Sequence, residues 1–240
     1  MTDIDTIRAK FPNCSSLESL YQTGKATNID GKPINATGLS SINNLLALEH
    51  LVRTEKPSRT LEIGLAYGGS ALAIISTLES IDSSGNFFHT AIDPGQDNFG
   101  RAGINMVDLS GFSRSFRCIE QSSDLALPTL AIKNEQFELI YIDGYHIFEN
   151  VFIDAYYAFR LLKSGGVVIF DDCTDPHVSK VIRFIETNMR GYAERLSFKA
   201  EGIRKPVWKR IANRLGYAQL KAYRKTRDLP RTWNADFHRF

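Results

Sequence analysis

Three aspartates directly follow two apolar stretches of the sequence, and their arrangement is typical of a site for a divalent cation. Asp171 and Asp172 follow residues 167–170, and Asp143 follows residues 137–142. Because ligands of open parallel sheets bind beyond the carboxyl ends of the strands, we expect these side chains at one sheet edge. Clustered carboxylates repel one another unless a cation or protons neutralise them. The pattern therefore predicts Asp143, Asp171 and Asp172 as metal ligands. The alternative is that Asp171 and Asp172 only cap the next helix.

A histidine, His146, lies three residues after Asp143. His146 follows a strand end beside a predicted metal ligand, and this position favours a role as general base over that of an ordinary surface histidine. Tyr145 has a flat ring that can stack on a ligand or fill the core. The sequence thus predicts His146, with Asp143, as catalytic residues.

Two earlier strand ends carry acids that suit a nucleoside. Glu62 precedes the glycine-containing turn 64–69, and Asp93 follows the next strand. The spacing of the turn is not G-x-G-x-x-G, so a pyrophosphate on the helix N-terminus is not supported. Glu62 suits an amino-bearing ligand, and Asp93 can accept both ribose hydroxyls. The alternatives are a plain tight turn and a helix N-cap before Pro94.

The third strand end is polar but less specific. Its residues Gln121-Ser122-Ser123-Asp124 can either hydrogen-bond the edge of an adenine or cap the helix that follows. Both interpretations stay open.

An alternation of strands and helices is predicted to position these residues. Apolar runs and turn signals predict strands followed by helices, which is typical of a doubly wound α/β sheet. The predicted strands are 59–63, 87–92, 116–119, 137–142 and 167–170, and the helices are 70–78, one through 104 and 109, 125–132, 151–162 and 178–189. A closing antiparallel hairpin is expected from 193–198 and 206–211. No structure is assigned beyond Asn213.

Three parts of the chain are expected. Residues 1–57 form a helical N-terminal preamble that serves as a lid or a subunit contact, with a loop from Gly24 to Gly38 and a helix capped by Ser40 or Ser41. Residues 58–212 form the ligand-binding domain, and residues 213–240 form a basic extension.

Composition limits the class of protein. The 240 residues are 43% hydrophobic with a net charge of +2, so a full core is expected and a strongly polyanionic partner is not. Three widely separated cysteines predict neither a disulfide framework nor a zinc site. Neither a signal peptide nor a run of ~20 apolar residues is present, so we expect a cytoplasmic protein without membrane contact.

These motifs, taken in order, resemble the class I S-adenosylmethionine-dependent methyltransferases. More narrowly, they resemble the metal-dependent O-methyltransferases that act on catechols, caffeoyl-coenzyme A, macrolide sugars and cephalosporins. The resemblance covers about residues 36–211. It implies a Rossmann-like doubly wound, seven-stranded sheet, mostly parallel with a C-terminal antiparallel hairpin strand, and with helices on both faces.

The resemblance also implies a role for each matching residue. Asp143, Asp171 and Asp172 would bind Mg²⁺ or another divalent cation, and His146 stands where relatives place a Lys or His base. The donor, S-adenosylmethionine, would be held by Glu62, Gly64, Ala66, Gly68, Ser70, Asp93, Ser122, Asp143 and Tyr145. The sequence Gln121-Ser122-Ser123 departs from relatives that have a Gly and an acid there, which bears on adenine recognition.

The resulting hypothesis is a Mg²⁺-dependent O-methyltransferase. Its acceptor would be a small hydroxylated molecule such as a sugar or natural product, with a vicinal diol or catechol favoured because two oxygens can reach one cation. One alternative is methylation of a modified RNA base, suggested by the basic extension with its interleaved aromatics. Another is a non-catalytic or NAD-type nucleotide-binding module. A homo-oligomer is compatible with the preamble and the extension.

Overall fold

The computed structural model describes residues 2–202, 218–228 and 234–240. The chain divides into two compact units. The first comprises Met1–Ser122 with Phe198–Arg204, and the second comprises Ser123–Ser197 with Lys205–Phe240. The boundaries expected after residues 57 and 212 remain a prediction.

Seven strands form the main sheet, in the order β5-β4-β3-β6-β7-β9-β8. The strands are β3 (Arg59–Ile63), β4 (Phe88–Ile92), β5 (Phe116–Ile119), β6 (Phe137–Ile142), β7 (Leu162–Phe170), β8 (Ala193–Leu196) and β9 (Lys221–Lys225). The pairs β3–β4, β4–β5 and β6–β7 are parallel, while β9 is antiparallel to β7 and to β8. The predicted fold class, a mostly parallel seven-stranded sheet with an antiparallel C-terminal strand, is confirmed.

The first unit buries β3 and β4 on both faces. Residues 60–63 and 89–92 are all buried, as expected of parallel strands covered by helices. Its helices are α1 (Asp3–Lys10), α2 (Ser15–Thr23), α3 (Ile42–Glu55), α4 (Gly69–Ile81) and α5 (Ala102–Leu109). Short 3₁₀ turns at Gln96–Phe99 and Ser113–Ser115 complete the connections.

The segment expected to be a loop from Gly24 to Gly38 contains a small hairpin. Its strands are β1 (Lys25–Thr27) and β2 (Pro33–Asn35), paired antiparallel. The Asn28 side chain accepts hydrogen bonds from the amides of Asp30 and Lys32, which closes the turn. Asn105 of α5 donates to the carbonyls of Thr27 and Asn28 and fixes the hairpin to the unit. The hairpin was missed because its two strands have three residues each and no apolar alternation, and because side-chain hydrogen bonds close and anchor it.

Two helix starts follow their sequence signals. Ser41 caps α3 by accepting from the amide of Asn44 at 3.2 Å, as predicted. Asp175 caps the later helix α8 (Pro176–Asn188) by accepting from the amide of His177 at 2.8 Å.

Within the described part of the chain, no helix has both the length and the apolar character that crossing a bilayer requires.

The second unit contains α6 (Ser123–Ile132), α7 (Phe148–Leu161), α8 and strands β6 to β9. The first predicted hairpin strand is present as β8, and its antiparallel partner is β9. The predicted partner 206–211 lies outside the described residues. Strand β9, which the sequence left unassigned, pairs with both β7 and β8.

Candidate active site

The turn after β3 adopts an unusual backbone. Gly64, Ala66 and Gly68 all have positive φ, at 93°, 45° and 83°. Glycine adopts such angles at little cost, whereas an alanine does so rarely and under strain. Since strained backbone is concentrated at functional sites, Ala66 supports the hypothesis that this turn binds a ligand.

Helix α5 packs directly against this turn. A Cβ on Gly103 would lie 2.4 Å from the carbonyl oxygen of Ala66, and a Cβ on Gly68 would lie 3.0 Å from the carbonyl oxygen of Gly103. Both glycines are therefore required for the close approach, and the position of α5 fixes the turn.

Asp93, which follows β4, stabilises the same turn through hydrogen bonds. Its Oδ2 accepts from the amides of Leu65 and Ala66 at 3.1 and 2.7 Å and from the Gln96 side chain at 3.0 Å, while Oδ1 accepts from the amide of Gly95 at 2.7 Å. Asp93 is buried, and its described bonds are internal to the unit. The contact with a ribose therefore remains a prediction, beside a structural role that the sequence did not reveal.

Glu62 and Ser70 lie together under the turn. Glu62 is fully buried, and the hydroxyl of Ser70 at the start of α4 donates to its Oε1. The ring of His89 on β4 places Nε2 3.2 Å from the other oxygen, Oε2. The role expected for this carboxylate, receiving the ammonium of an amino acid, stays a prediction.

The two residues expected to flank an adenine belong to different units. Ser122 is half-buried at the end of the first unit, and Tyr145 of the second unit is 70% exposed. Their roles remain predictions.

In the second unit, two of the predicted metal ligands lie beside the predicted base. Nε2 of His146 is 3.3 Å from Oδ2 of Asp172 and 3.9 Å from Oδ1 of Asp143. One ligand atom from each of these residues lies within 4.8 Å of the other two. Asp172 has φ 46°, so a second strained residue coincides with a predicted site.

The third predicted ligand, Asp171, lies beneath this cluster. It is buried, its Oδ1 accepts from the amide of Asp172 at 2.7 Å, and its Oδ2 accepts from the hydroxyl of Tyr141 at 2.6 Å. The same hydroxyl lies 3.0 Å from Oδ2 of Asp143. Burial and the nearby charge of Asp143 raise the pKa of Asp171. The described cluster is thus Asp143, His146 and Asp172, with Asp171 and Tyr141 as its support.

The sequence did not reveal Gln219 as part of this site. Its side-chain amide donates to Oδ1 of Asp172, and its Oε1 accepts from the hydroxyl of Thr174 at 3.0 Å. Its backbone carbonyl also accepts from the amide of Cys173 at 2.8 Å. No sequence pattern links Gln219 to an acid so distant along the chain.

The donor atoms of the cluster fit a divalent cation. Asp143 and Asp172 supply the carboxylate oxygens that Mg²⁺ prefers, and an imidazole nitrogen suits Mn²⁺ and related transition ions. The interaction with the Asp143 carboxylate raises the pKa of His146 most, against a partial burial that lowers it, and the charge of Asp172 adds to the increase. The cluster is therefore strongly attractive to positive charge, whether a proton or a metal ion.

Comparison with known proteins finds one similar family. Residues 61–173 match a family described as a methyltransferase domain. No curated protein matches the chain.

Solved structures of other proteins share the fold. One is the O-methyltransferase TomG of Streptomyces achromogenes, involved in tomaymycin synthesis and solved with S-adenosylmethionine. It is 18% identical with a TM-score of 0.60, and the match covers 91% of this chain and 89% of TomG. Another is an O-methyltransferase of Bacillus cereus in complex with S-adenosylhomocysteine. It is 17% identical with a TM-score of 0.62, and the match covers 92% and 100% of the two chains.

At these identities the structures show the fold, and the family match shows that residues 61–173 are similar to a methyltransferase domain. Together they agree with the resemblance inferred from the sequence, because this chain has the fold of the O-methyltransferases with which it was compared.

Proposed function

We propose that this protein transfers a methyl group from S-adenosylmethionine to a hydroxyl of a small molecule with the help of a divalent cation. The observation that carries the proposal is the cluster of Asp143, His146 and Asp172 in a chain with a methyltransferase domain. Two carboxylates and an imidazole are the groups that activation of a hydroxyl requires.

The first unit is assigned to the methyl donor. Glu62 would receive the α-amino group, and the turn of Gly64, Ala66 and Gly68 would lie along the methionine portion. Asp93 accepts hydrogen bonds from the backbone amides of this turn. It would therefore preserve the shape of the donor site in addition to any bond to the ribose.

The second unit is assigned to the acceptor. Asp143 and Asp172 would hold the cation, with Mg²⁺ as the default, and the cation lowers the pKa of a hydroxyl when bound. His146 would take the proton from the acceptor hydroxyl at Nε2. Bound S-adenosylmethionine would supply the methyl group to the deprotonated oxygen as its methyl carbon–sulfur bond broke, and it would leave as the neutral thioether S-adenosylhomocysteine.

The ligand count favours an acceptor with two adjacent oxygens. A cation of about six-fold coordination that is held by two carboxylates keeps positions for two acceptor oxygens as well as water. Vicinal diols of sugars, catechols and hydroxy-carbonyl compounds meet this requirement.

A small-molecule acceptor is proposed in preference to RNA because several basic side chains near the C-terminus are already engaged. Lys225 donates to the carbonyl of Leu162 at 2.7 Å and pairs with Asp228 at 2.7 Å. Arg224 donates to the carbonyl of Gly165 at 2.7 Å. These groups stabilise the second unit and are not displayed as a free basic surface.

Calorimetric titration with S-adenosylhomocysteine tests the donor site. We expect binding by the wild-type protein and a loss of about tenfold or more for Glu62→Gln, because this change removes the charge that faces the ammonium. Asp82→Asn, at a half-buried acid just beyond α4, is the matched control. A wild-type protein that does not bind the product would refute the proposed function.

Metal removal tests the acceptor site. Release of S-adenosylhomocysteine should be measured with panels of catechols, sugar diols and hydroxylated natural products, first with EDTA and then with Mg²⁺ or Mn²⁺ restored. We expect loss and recovery of turnover, and no recovery for Asp172→Asn. Full turnover in EDTA would exclude the cation while leaving the donor assignment intact.

A further inference from the structure

A buried polar chain crosses β3 and β4 beneath the donor turn. Thr60, Glu62 and His89 are each 0% exposed, and Thr60 and His89 are direct partners in the parallel register. Side chains two residues apart on a strand share a face, so Thr60 and Glu62 both approach the imidazole of His89. Neither Thr60 nor His89 has a place in the mechanism described above.

The contacts of His89 define the orientation of its ring. Nδ1 lies 2.8 Å from the hydroxyl oxygen of Thr60, and Nε2 lies 3.2 Å from Oε2 of Glu62. The ring also stacks on Phe116, with centroids 6.0 Å apart and planes at 15°. When Glu62 is ionised, as the binding of an ammonium requires, its carboxylate can only accept, and Nε2 of His89 then carries a proton. In a neutral ring Nδ1 then accepts, and the Thr60 hydroxyl is its donor.

This network gives Glu62 a donor on each oxygen. Ser70 donates to Oε1 and His89 to Oε2. A buried carboxylate without donors would take up a proton and lose its attraction for a cation. The imidazole therefore favours the ionised form of Glu62 and restricts its rotation.

We propose that His89 is a positioning residue for the donor: held by Thr60 and Phe116, it keeps the Glu62 carboxylate ionised and directed at the α-amino group of S-adenosylmethionine. The inference rests on the proposed function, because it takes the donor to be S-adenosylmethionine. It adds that recognition of the amino group depends on a histidine that does not touch the ligand.

The test compares two ligands, since a structural role would affect both alike. Binding of S-adenosylhomocysteine and of its analogue without the α-amino group is measured by calorimetry for the wild type, His89→Leu and His89→Gln. For His89→Leu we expect the preference for the amino-bearing ligand to fall by about tenfold or more, because a hydrogen bond to a charged group is lost. His89→Gln keeps an N–H donor and should stay within about threefold of the wild-type preference.

A second pair of variants keeps the imidazole in place. Thr60→Val removes the hydroxyl beside Nδ1 and should reduce the preference by about threefold. Thr90→Val is the matched control, because Thr90 is also fully buried on β4 but accepts from Arg117 at 3.2 Å. It should leave the preference unchanged.

The outcomes separate the two proposals. If the wild type binds neither ligand, the proposed function itself fails. If it binds S-adenosylhomocysteine, but His89→Leu keeps the wild-type preference or weakens both ligands equally, then His89 has no positioning role. Should His89→Leu not fold, equal preferences for Thr60→Val and Thr90→Val would overturn the inference.

Discussion

At the scale of single residues, His146 shows how the charge around a side chain determines its role. Asp143 and Asp172 favour the protonated imidazole, and a protonated ring cannot accept the proton of an acceptor. A cation held by the same two carboxylates would offset their charge and release His146 as a base. The acids and the base thus depend on one another, which explains why the residues occur together.

Replacing His146 tests this role. His146→Ala should lower kcat by about a hundredfold or more, the usual contribution of a general base, with little change in the affinity for S-adenosylhomocysteine. Single-turnover rates and calorimetry measure the two effects. His177→Ala, on α8 outside the cluster, is the control. Near-normal turnover by His146→Ala would contradict this role and would indicate that another group, such as Asp143, accepts the proton.

Asp154 on α7 presents a different problem, since it is a buried acid outside the predicted site. Neither of its carboxylate oxygens has a hydrogen-bond partner in the described structure. Burial raises its pKa to about 7, although the nearby Ser123 hydroxyl lowers it somewhat. The geometry shows no well-formed bond to Ser123, so burial is the dominant effect.

The raised pKa predicts a stability that falls with pH. Between the ordinary pKa of 3.8 and the folded value of about 7, the folded state holds a proton that the unfolded state has lost. The free energy of unfolding is therefore highest below about pH 4, and it falls by up to about 4 kcal/mol as the pH rises to about 7. Asp154→Asn should raise Tm at pH 8 and have little effect at pH 4.

Thermal unfolding over this pH range measures the effect. Glu149→Gln, at an exposed acid of the same helix α7, is the control and should change Tm little at either pH. A Tm advantage of Asp154→Asn that does not vary with pH would contradict the prediction, because it would show that the carboxyl has the same pKa in the folded and unfolded states.

Residue positions were predictable where the strand ends defined them. Glu62 lies near the end of β3, while Asp93, Asp143 and Asp172 follow their strands, and a strand end has a known place in this kind of sheet. His89 and Gln219 were not predictable because their contacts depend on which strands are neighbours and on the path of the chain after residue 217. Asp171 was placed at the right strand end, but a sequence does not show which of two adjacent carboxylates faces inward.

At the scale of elements, the parallel strands were the most predictable part. Strands β3, β5 and β6 have the predicted bounds, because buried apolar runs between turn signals leave few alternatives. Strand β9 was missed because its sequence Lys-Ala-Tyr-Arg-Lys resembles a solvated surface. Its two lysines are nevertheless buried, with Lys221 3.5 Å from Glu186 and Lys225 beside Asp228.

The close approach of α5 to the donor turn leads to a prediction for that helix. Gly103→Ala would place a methyl group against the Ala66 carbonyl and the Leu65 side chain, and α5 would have to move away. We expect about 1–3 kcal/mol less stability and at least a tenfold loss in affinity for S-adenosylhomocysteine.

A glycine elsewhere separates the two effects. Gly85→Ala meets no neighbour within 4 Å, but Gly85 has φ 74°, so this change should reduce stability through backbone strain alone. Calorimetry should find its donor affinity unchanged. Equal donor affinities for the two variants would show that the turn does not depend on α5.

At the scale of the whole molecule, the proposed chemistry divides between the two compact units. The described residues that would bind the donor amino group and methionine belong to the first unit, and the cluster of Asp143, His146 and Asp172 belongs to the second. Variants of one unit should therefore change donor affinity, and variants of the other should change acceptor turnover.

The C-terminal residues provide a test at this scale. Phe237 and Phe240 pack on Phe184 of α8 at centroid distances of 6.4 and 5.3 Å, and Asn188 exchanges two hydrogen bonds with the backbone of His238. Removal of residues 237–240 should lower Tm by several degrees through lost packing, with unchanged affinity for S-adenosylhomocysteine.

Calorimetry on the truncated protein completes this test, with Arg239→Ala as the control that keeps both phenylalanines. If truncation also abolishes activity and removes a salt-sensitive affinity for RNA, the acceptor would be a nucleic acid and not a small molecule.

The backbone at Asp172 has a consequence for how this position can vary over generations. Its φ of 46° is tolerated by glycine and, among residues with side chains, best by asparagine and aspartate. Cation binding, by contrast, accepts aspartate or glutamate. Aspartate alone satisfies both demands, so any substitution at this codon would sacrifice either the shape of the loop or the charge that binds the cation, and neutral drift there would be closed.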